Sequence, residues 1–376
     1  MKKLIYFVTE DWYFLSHRLP MARAAMSAGF DVSLITNIGA SRAAIETAGI
    51  RVIAFPLQRK SLNPFVALKQ IFALTRIYTD EKPDLVHHIA LKPILFGSIA
   101  ATLANVPRVV NAFAGLGVIF ETNVPVALIL RPLLVVLFSL TMKRRNFWTL
   151  FQNRDDRDRM IALKIADPER SVIIRGSGVD VDAYAVTPLP PAPPVICVMA
   201  GRMIAAKGLE ALQGAFEILR RQDTRIQLWL CGQPDPANPG SWNAARLQQW
   251  SRDNPNVIWK GQQTDMQSIW AQAHIALQPS LGGEGLPKSL LEAGACGRPM
   301  IVSDVPGCRE VVEEGRNGHL VQPGDALALS EKILKLAGDL PACAEMGLES
   351  RKIVEGDLSA AAVMAQTQML YMRIMN

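Results

Sequence analysis

The stretch "AYAVTPLPPAPP", Ala183 to Pro194, holds five prolines in twelve residues. Proline fixes φ and removes a backbone donor, so neither a helix nor a central strand can run through this stretch. It divides the chain, and one pattern recurs on both sides. Before it, the strand candidates are Leu4–Thr9, Val32–Thr36, Val52–Phe55, Leu85–Ile89, Val109–Ala114, Trp148–Gln152 and Val172–Arg175. Helix-period segments such as His17–Ala28, Pro64–Tyr78 and Pro93–Ala104 lie between them. After it, strands are expected at Val195–Ala200, Ile226–Cys231, Val257–Trp259, Ile275–Gln278 and Met300–Val302. The helices expected there are Lys207–Arg220, Trp242–Trp250, Met266–Ala273, Pro287–Cys296 and Ala326–Ala337. Continuous apolar strands separated by helices imply parallel sheets covered on both faces.

The expectation is an α/β chain of two Rossmann-like domains whose parallel sheets face an interdomain cleft. Their bounds are residues 1–185 and 186–357, followed by a Met-rich helix over 358–376 that packs on either domain or crosses back to the first. A chain of 376 residues is long enough for two such cores. Open parallel sheets bind ligands at the carboxyl ends of their strands. Two facing domains therefore give each of two substrates its own side, and closure expels water, an arrangement suited to group transfer.

Charge is split unevenly. Residues 1–185 carry 23 Lys and Arg against 15 Asp and Glu, a balance of +8; residues 186–376 carry 17 against 19, a balance of −2. A basic half calls for a polyanionic partner or is a merely solvated face. Nucleic acid is disfavoured because aromatics are not interleaved with the basic residues. "VPVALILRPLLVVLFSLTMKRR", Val124 to Arg145, is the most apolar run, but Arg131-Pro132 breaks it below the length of a spanning helix. It reads either as a helix lying on an anionic bilayer or as a core helix with a basic end. The N-terminal "MKKLIYFVTEDW" reads as a first strand rather than a leader. Cys197, Cys231, Cys296, Cys308 and Cys343 include no C-x-x-C pair and read as reduced core thiols in a cytosolic protein. Asp156-Arg157-Asp158 and Asp180-Val181-Asp182 open a helix and a turn; no His/Cys/Asp cluster has metal spacing, so no metal or other cofactor is expected.

The densest chemistry lies in "GGEGLPKSLLEAGACGRP", Gly282 to Pro299. Gly282, Gly283 and Gly285 follow a strand end and let a ligand approach closely. Pro287 suits the first helical position, which leaves the amides of Gly285, Leu286 and Lys288 as an anion site at a helix N-terminus. Glu284 can accept bonds from such amides and from sugar hydroxyls, and Glu292 can bond a diol as acidic residues do to ribose. The plain alternative is a capped surface helix with Glu292 solvated. In "MAGRMIAAKG", Met199 to Gly208, Arg202 offers a fork and Lys207 a point charge near a helix start, where a cation opposes the helix dipole. A diphosphate between them would relieve that; two solvated cations are the alternative.

These residues resemble a known family. Glu284-x7-Glu292 within "EGLPKSLLEAGACGRPMIVSDVPG", with "GR....KG" at 201–208, "GSGVD" at 176–180 and "PDLVHH" at 83–88, looks like the retaining family-4 glycosyltransferases of the GT-B fold. The resemblance covers nearly the whole chain. It implies that Arg202 and Lys207 neutralise the nucleotide diphosphate, Glu284 contacts the donor sugar and Glu292 the ribose. The Gly285–Lys288 turn would hold the distal phosphate. Many members carry H-x-H after the fourth strand; here "VHHIALKP" has His87 and His88, which a strand points to opposite faces, so one at most faces the cleft. Either can instead be a satisfied core histidine. "TEDWYFLSHRLP", "IALKP" and "NAFAGLG" resemble the branch that builds bacterial O-antigen and capsule units on a polyprenyl diphosphate carrier. That implies a lipid-linked saccharide acceptor, a nucleotide-sugar donor, UDP rather than GDP, and work at the inner face of the cytoplasmic membrane. Asp11, His17, Arg18, His87, His88 and Lys92 are then the acceptor-side candidates, Arg18 and Lys92 for the carrier diphosphate. The glutamates are not a glycosidase pair, because both are assigned to the donor. A nucleotide-sugar 2-epimerase and an inactive glycan-binding partner remain as alternatives.

Overall fold

The structure, a computed structural model, describes every residue except 59–60, 62, 118–119, 121–124 and 223–224, and omits the side chains of 125–127. Of the apolar Val124–Arg145 stretch, Val124 thus lies outside the described residues. The chain divides into two compact units. One holds Met1–Ser177 with Ala361–Asn376, the other Gly178–Ala360.

In the first unit, β1 (Lys2–Glu10), β2 (Phe30–Asn37), β3 (Arg51–Ala54), β4 (Leu85–Ile89), β5 (Val109–Ala112), β6 (Phe147–Phe151) and β7 (Ser171–Ile173) form one sheet, ordered β3-β2-β1-β4-β5-β6-β7. In the second, β8 (Val195–Ala200), β9 (Ile226–Cys231), β10 (Val257–Gly261), β11 (Ile275–Gln278), β12 (Met300–Ser303) and β13 (Gly318–Val321) are ordered β10-β9-β8-β11-β12-β13. The pairings are parallel, including β1 with β4 and β8 with β11. These two pairs are where each strand order reverses, the place at which open parallel sheets bind ligands. β4, β5, β11 and β12 are buried along their whole length, as strands covered by helices on both faces must be. β13, with glycine and histidine at its start, has too weak an apolar signal to be expected from sequence.

Three boundaries move for local reasons. The helix expected over His17–Ala28 is two, Asp11–His17 and Leu19–Ser27, joined at Arg18, whose φ of −126° is not helical. The helix expected from Lys207 begins at Leu209, because Gly208 is left-handed (φ +77°) and ends a short 3-10 turn, Ala205–Lys207. Pro287 is the cap of helix Lys288–Ala295 rather than its first residue. Elsewhere polar caps set helix starts: Asn63 accepts from the Phe65 amide, Asn243 from Arg246 and Asp325 from Ala328.

Compactness divides the chain at Ser177/Gly178, ahead of the proline run. The Val179 amide donates to Leu358 O at 3.1 Å and the Ala360 amide to Val179 O at 2.8 Å, so 178–185 is stitched into the second unit. The last helix, Ala360–Met375, belongs to the first. Its Tyr371 hydroxyl lies 2.6 Å from Tyr6 Oη and 2.6 Å from His87 Nδ1, and Arg108 Nε caps its end on Ile374 O at 2.8 Å. Tyr371→Phe is expected to cost about 1–3 kcal/mol, because it strands buried polar atoms on Tyr6 and His87. Urea unfolding read in the first unit checks this; an unchanged midpoint would contradict it.

Candidate functional site

In the second unit the candidates gather beyond the carboxyl ends of β8 and β11. Gly208 makes this possible: a Cβ there would sit 1.9 Å from Pro279 O, so only glycine lets the turn after β8 lie against the chain leaving β11. The Leu281 amide then donates to Ala206 O at 2.9 Å. With the two segments laced together, Lys207 Nζ reaches Glu284 Oε1 at 2.5 Å. The same oxygen accepts from Ser280 Oγ at 2.5 Å and Gln278 Nε2 at 3.2 Å. Gly307, after β12, supports the loop from beneath, where a Cβ would lie 2.6 Å from the Glu284 and Gly285 carbonyls.

Glu284 is 9% exposed. Burial pushes its carboxyl up, but the Lys207 ammonium, the Ser280 hydroxyl and the more distant Arg202 together outweigh it and hold the group below the usual glutamate range. The expectation that a phosphate relieves the cation at Lys207 is therefore amended: within the protein a carboxylate does so. Arg202 is likewise paired, Nη1 to Asp235 Oδ2 at 2.7 Å.

Glu292, one turn into helix Lys288–Ala295, is 7% exposed, so the solvated-helix alternative does not hold. Lys288 Nζ stands 3.5 Å from its Oε1. Burial dominates and raises its carboxyl, with Lys288, Tyr184 and Trp270 opposing. Burial and the nearby Glu292 charge in turn push the Tyr184 phenol up. Leu286 packs into the core.

The first unit places its candidates around β1 and β4. His88 bonds Tyr78 Oη at 3.0 Å and Asn111 Oδ1 at 2.8 Å, and its ring fills the space a Gly97 Cβ would need. Burial lowers it to about 4, so it is a neutral core histidine. His87, on the opposite face as strand geometry requires, is fully buried, stacked on Tyr6 at 5.0 Å and bonded to Tyr371; burial and the Arg18 charge keep it neutral too. Arg18 is 1% exposed, with Nη1 3.3 Å from Met21 Sδ and Nη2 3.5 Å from Tyr13 Oη. Asp11 is buried and accepts from the Gly39 amide at 2.6 Å and the Ser41 amide at 3.1 Å, closing the loop after β2. His17 stacks on Tyr13 at 4.5 Å. Lys92 Nζ donates to Gln58 O and, at 2.9 Å, to Ser61 O.

The two D-x-D stretches are spent on a helix start and a turn. Asp156 exchanges bonds with its cap Asn153, and Asp180 Oδ1 accepts from the Asp182 and Ala183 amides. Among the described residues no group of three or more His, Cys, Asp or Glu could hold a metal. Sequence reading missed Asp235, Ser280, Gln278 and Tyr184. Gln278 alone left a signal, as a polar residue in an otherwise apolar strand.

Residues 3–145 match the family described as glycosyl transferase 4-like, and residues 194–339 match glycosyl transferases group 1. N,N'-diacetylbacillosaminyl-diphospho-undecaprenol alpha-1,3-N-acetylgalactosaminyltransferase of Campylobacter jejuni is 26% identical over 87% of this chain and 89% of its own. UDP-Gal:alpha-D-GlcNAc-diphosphoundecaprenol alpha-1,3-galactosyltransferase of Escherichia coli is 23% identical over 82% and 81%. Among solved structures, HepE of Anabaena in complex with UDP superposes with a TM-score of 0.79 at 17% identity, over 99% of this chain and 100% of that one.

Opposite signs are expected for the two glutamates. Glu284 has a lowered folded value, so its contribution to stability is full above the unfolded value of about 4.3 and is lost as pH falls through the folded one. Glu284→Gln should flatten that acid limb in urea titrations. Glu292, raised by burial, weakens the fold when ionised. Glu292→Gln should therefore hold or raise the melting temperature at pH 7, measured by thermal unfolding. A large loss of stability would contradict an ionised Glu292 held at a cost to the fold.

Proposed function

We propose, for a chain that belongs to the group 1 glycosyltransferases and has their GT-B fold, that it moves a hexose or N-acetylhexosamine from a UDP-sugar to a lipid-linked saccharide. The acceptor is a polyprenyl-diphosphate-linked sugar at the inner face of the cytoplasmic membrane, and the product a surface-polysaccharide unit. The observation that carries this reading is the largely enclosed Lys207–Glu284 pair at the strand-order reversal of the second sheet. The acceptors named for the Campylobacter and Escherichia relatives support the lipid-linked half.

In this reading the second unit binds the donor and the first the acceptor. Glu284, fixed by Ser280 and Lys207, accepts hydrogen bonds from donor-sugar hydroxyls. Glu292 takes the ribose diol, and the turn Gly285, Leu286 and Lys288 faces the distal phosphate. As the bond to the anomeric carbon breaks, charge grows on the departing diphosphate, where Arg202 and Lys207 stabilise it. A phosphate oxygen takes the proton of the attacking hydroxyl on the same face of the sugar, so configuration is retained. In this reading two side-chain cations offset the leaving-group charge, so a divalent metal is not required. Of the two candidates for the carrier diphosphate, Lys92, just past the end of β4, is half-buried and serves it, whereas Arg18 is enclosed against Met21 and Tyr13 and acts on that side only through its charge. Asp11 closes the loop after β2, and His17 stacks on Tyr13.

Lys207→Ala is expected to lower turnover by about 100-fold or more, the effect of removing one transition-state donor. Product analysis with a UDP-sugar and a lipid-diphosphate acceptor measures it, and near-normal turnover in a folded variant would refute the assignment. Excess EDTA should leave the rate unchanged. An epimerised sugar formed from donor alone would favour the 2-epimerase instead.

A further inference from the structure

Three helices, Pro64–Glu81, Leu91–Leu103 and Pro125–Thr141, form one layer on the first sheet, with Leu91–Leu103 in the middle packing on both others. The two outer helices turn apolar stripes to solvent. On Pro125–Thr141 these are Ile129, Leu133, Val136 and Leu140, spaced at 4, 3 and 4 residues and each more than half exposed, Ile129 at 73%. On Pro64–Glu81 they are Phe65 at 81%, Leu68 and Phe72, while Ile71, Leu74 and Tyr78 on the opposite side are buried. Scattered apolar residues need no explanation, but two aligned stripes on one layer do.

The charges around the stripes indicate what covers them. The three helices and the turn that follows them carry Lys69, Arg76, Lys92, Arg131 and Lys143-Arg144-Arg145 against two acids, Asp80 and Glu81. Lys69 and Arg76 fall on the same helical face as Phe65 and Phe72. The first unit as a whole holds 24 Lys and Arg against 13 Asp and Glu, a formal +11; the second holds 16 against 21, or −5. No helix among the described residues is long and apolar enough to cross a membrane. An apolar stripe flanked by cations, too short to span, is suited to lying in the headgroup region of an anionic bilayer.

We propose that this layer is the membrane-docking face, with Phe65, Phe72, Ile129 and Leu140 entering the lipid boundary and Lys69, Arg76 and Lys143–Arg145 meeting anionic headgroups. The inference rests on the lipid-linked acceptor of the preceding section and names the surface that would bring the enzyme to it.

Co-sedimentation of the full chain with vesicles tests it. Binding should be strong to phosphatidylcholine containing phosphatidylglycerol, weak to phosphatidylcholine alone, and reduced by salt. The triple variant Phe72→Ser/Ile129→Ser/Leu140→Ser should lose about 10-fold or more in partitioning. A triple Lys143→Gln/Arg144→Gln/Arg145→Gln variant should lose the preference for phosphatidylglycerol. UDP-sugar binding by calorimetry should be unchanged in both, which separates failure of this proposal from failure of the donor assignment. Wild-type protein that ignores both vesicle types overturns the proposal, as does partitioning unaltered by the serine substitutions. A wild-type dimer that the serine substitutions dissociate in light scattering also overturns it, in favour of a second copy on this face.

Discussion

A half-buried lysine against a buried glutamate, contributed by segments 77 residues apart, is the contact around which the second unit is organised. A carboxylate this enclosed is costly unless its charge is met, and removing either partner strands the other. The backbone is shaped to prevent that. Gly208 gives the close approach to Pro279, the Ala206–Leu281 hydrogen bond fixes its depth, and Gly307 holds up the Glu284–Gly285 peptide. Ser280 and Gln278 then saturate the oxygen that Lys207 reaches. The pair thus arrives at the end of β11 with charge, orientation and surroundings already set.

The first unit solves a different problem at the equivalent place in its sheet. Where β1 and β4 meet, it buries rings rather than an ion pair: Tyr6, His87 and Tyr371 bond in a chain, with Arg18 close by. Tyr371 comes from the far end of the sequence, 284 residues from His87. That link makes the last helix part of this unit's core. The helices on the sheet's other side bury their inner faces and leave apolar and basic residues outward. One unit is therefore strongly basic and the other mildly acidic, a division sharper than the linear halves of the chain suggest.

Much of this was legible in the letters. Strands such as Leu85–Ile89, Val195–Ala200, Ile226–Cys231 and Ile275–Gln278 coincide with their sequence expectations, because a fully buried parallel strand must be an apolar run of limited length. The Gly282–Pro299 segment and the Arg202–Lys207 loop stood out because glycines, acids and cations crowd into few residues. What misled was local grammar. Lys207 looked like the first residue of a helix, and only the left-handed Gly208 shows that it ends a turn. His87 and His88 looked alike, yet one lies among Tyr78, Asn111 and Ser98 while the other joins Tyr6 and Tyr371.

The sequence by itself determined the elements, their parallel arrangement and the chemical types collected at the strand ends, because periodicity and composition are local properties. Only the tertiary structure decided which charge meets which. Asp235 opposite Arg202, Glu284 opposite Lys207 and Tyr184 beside Glu292 are pairings across strand crossovers. No spacing encodes them, since a parallel sheet sets the strand order independently of the distance between partners along the chain.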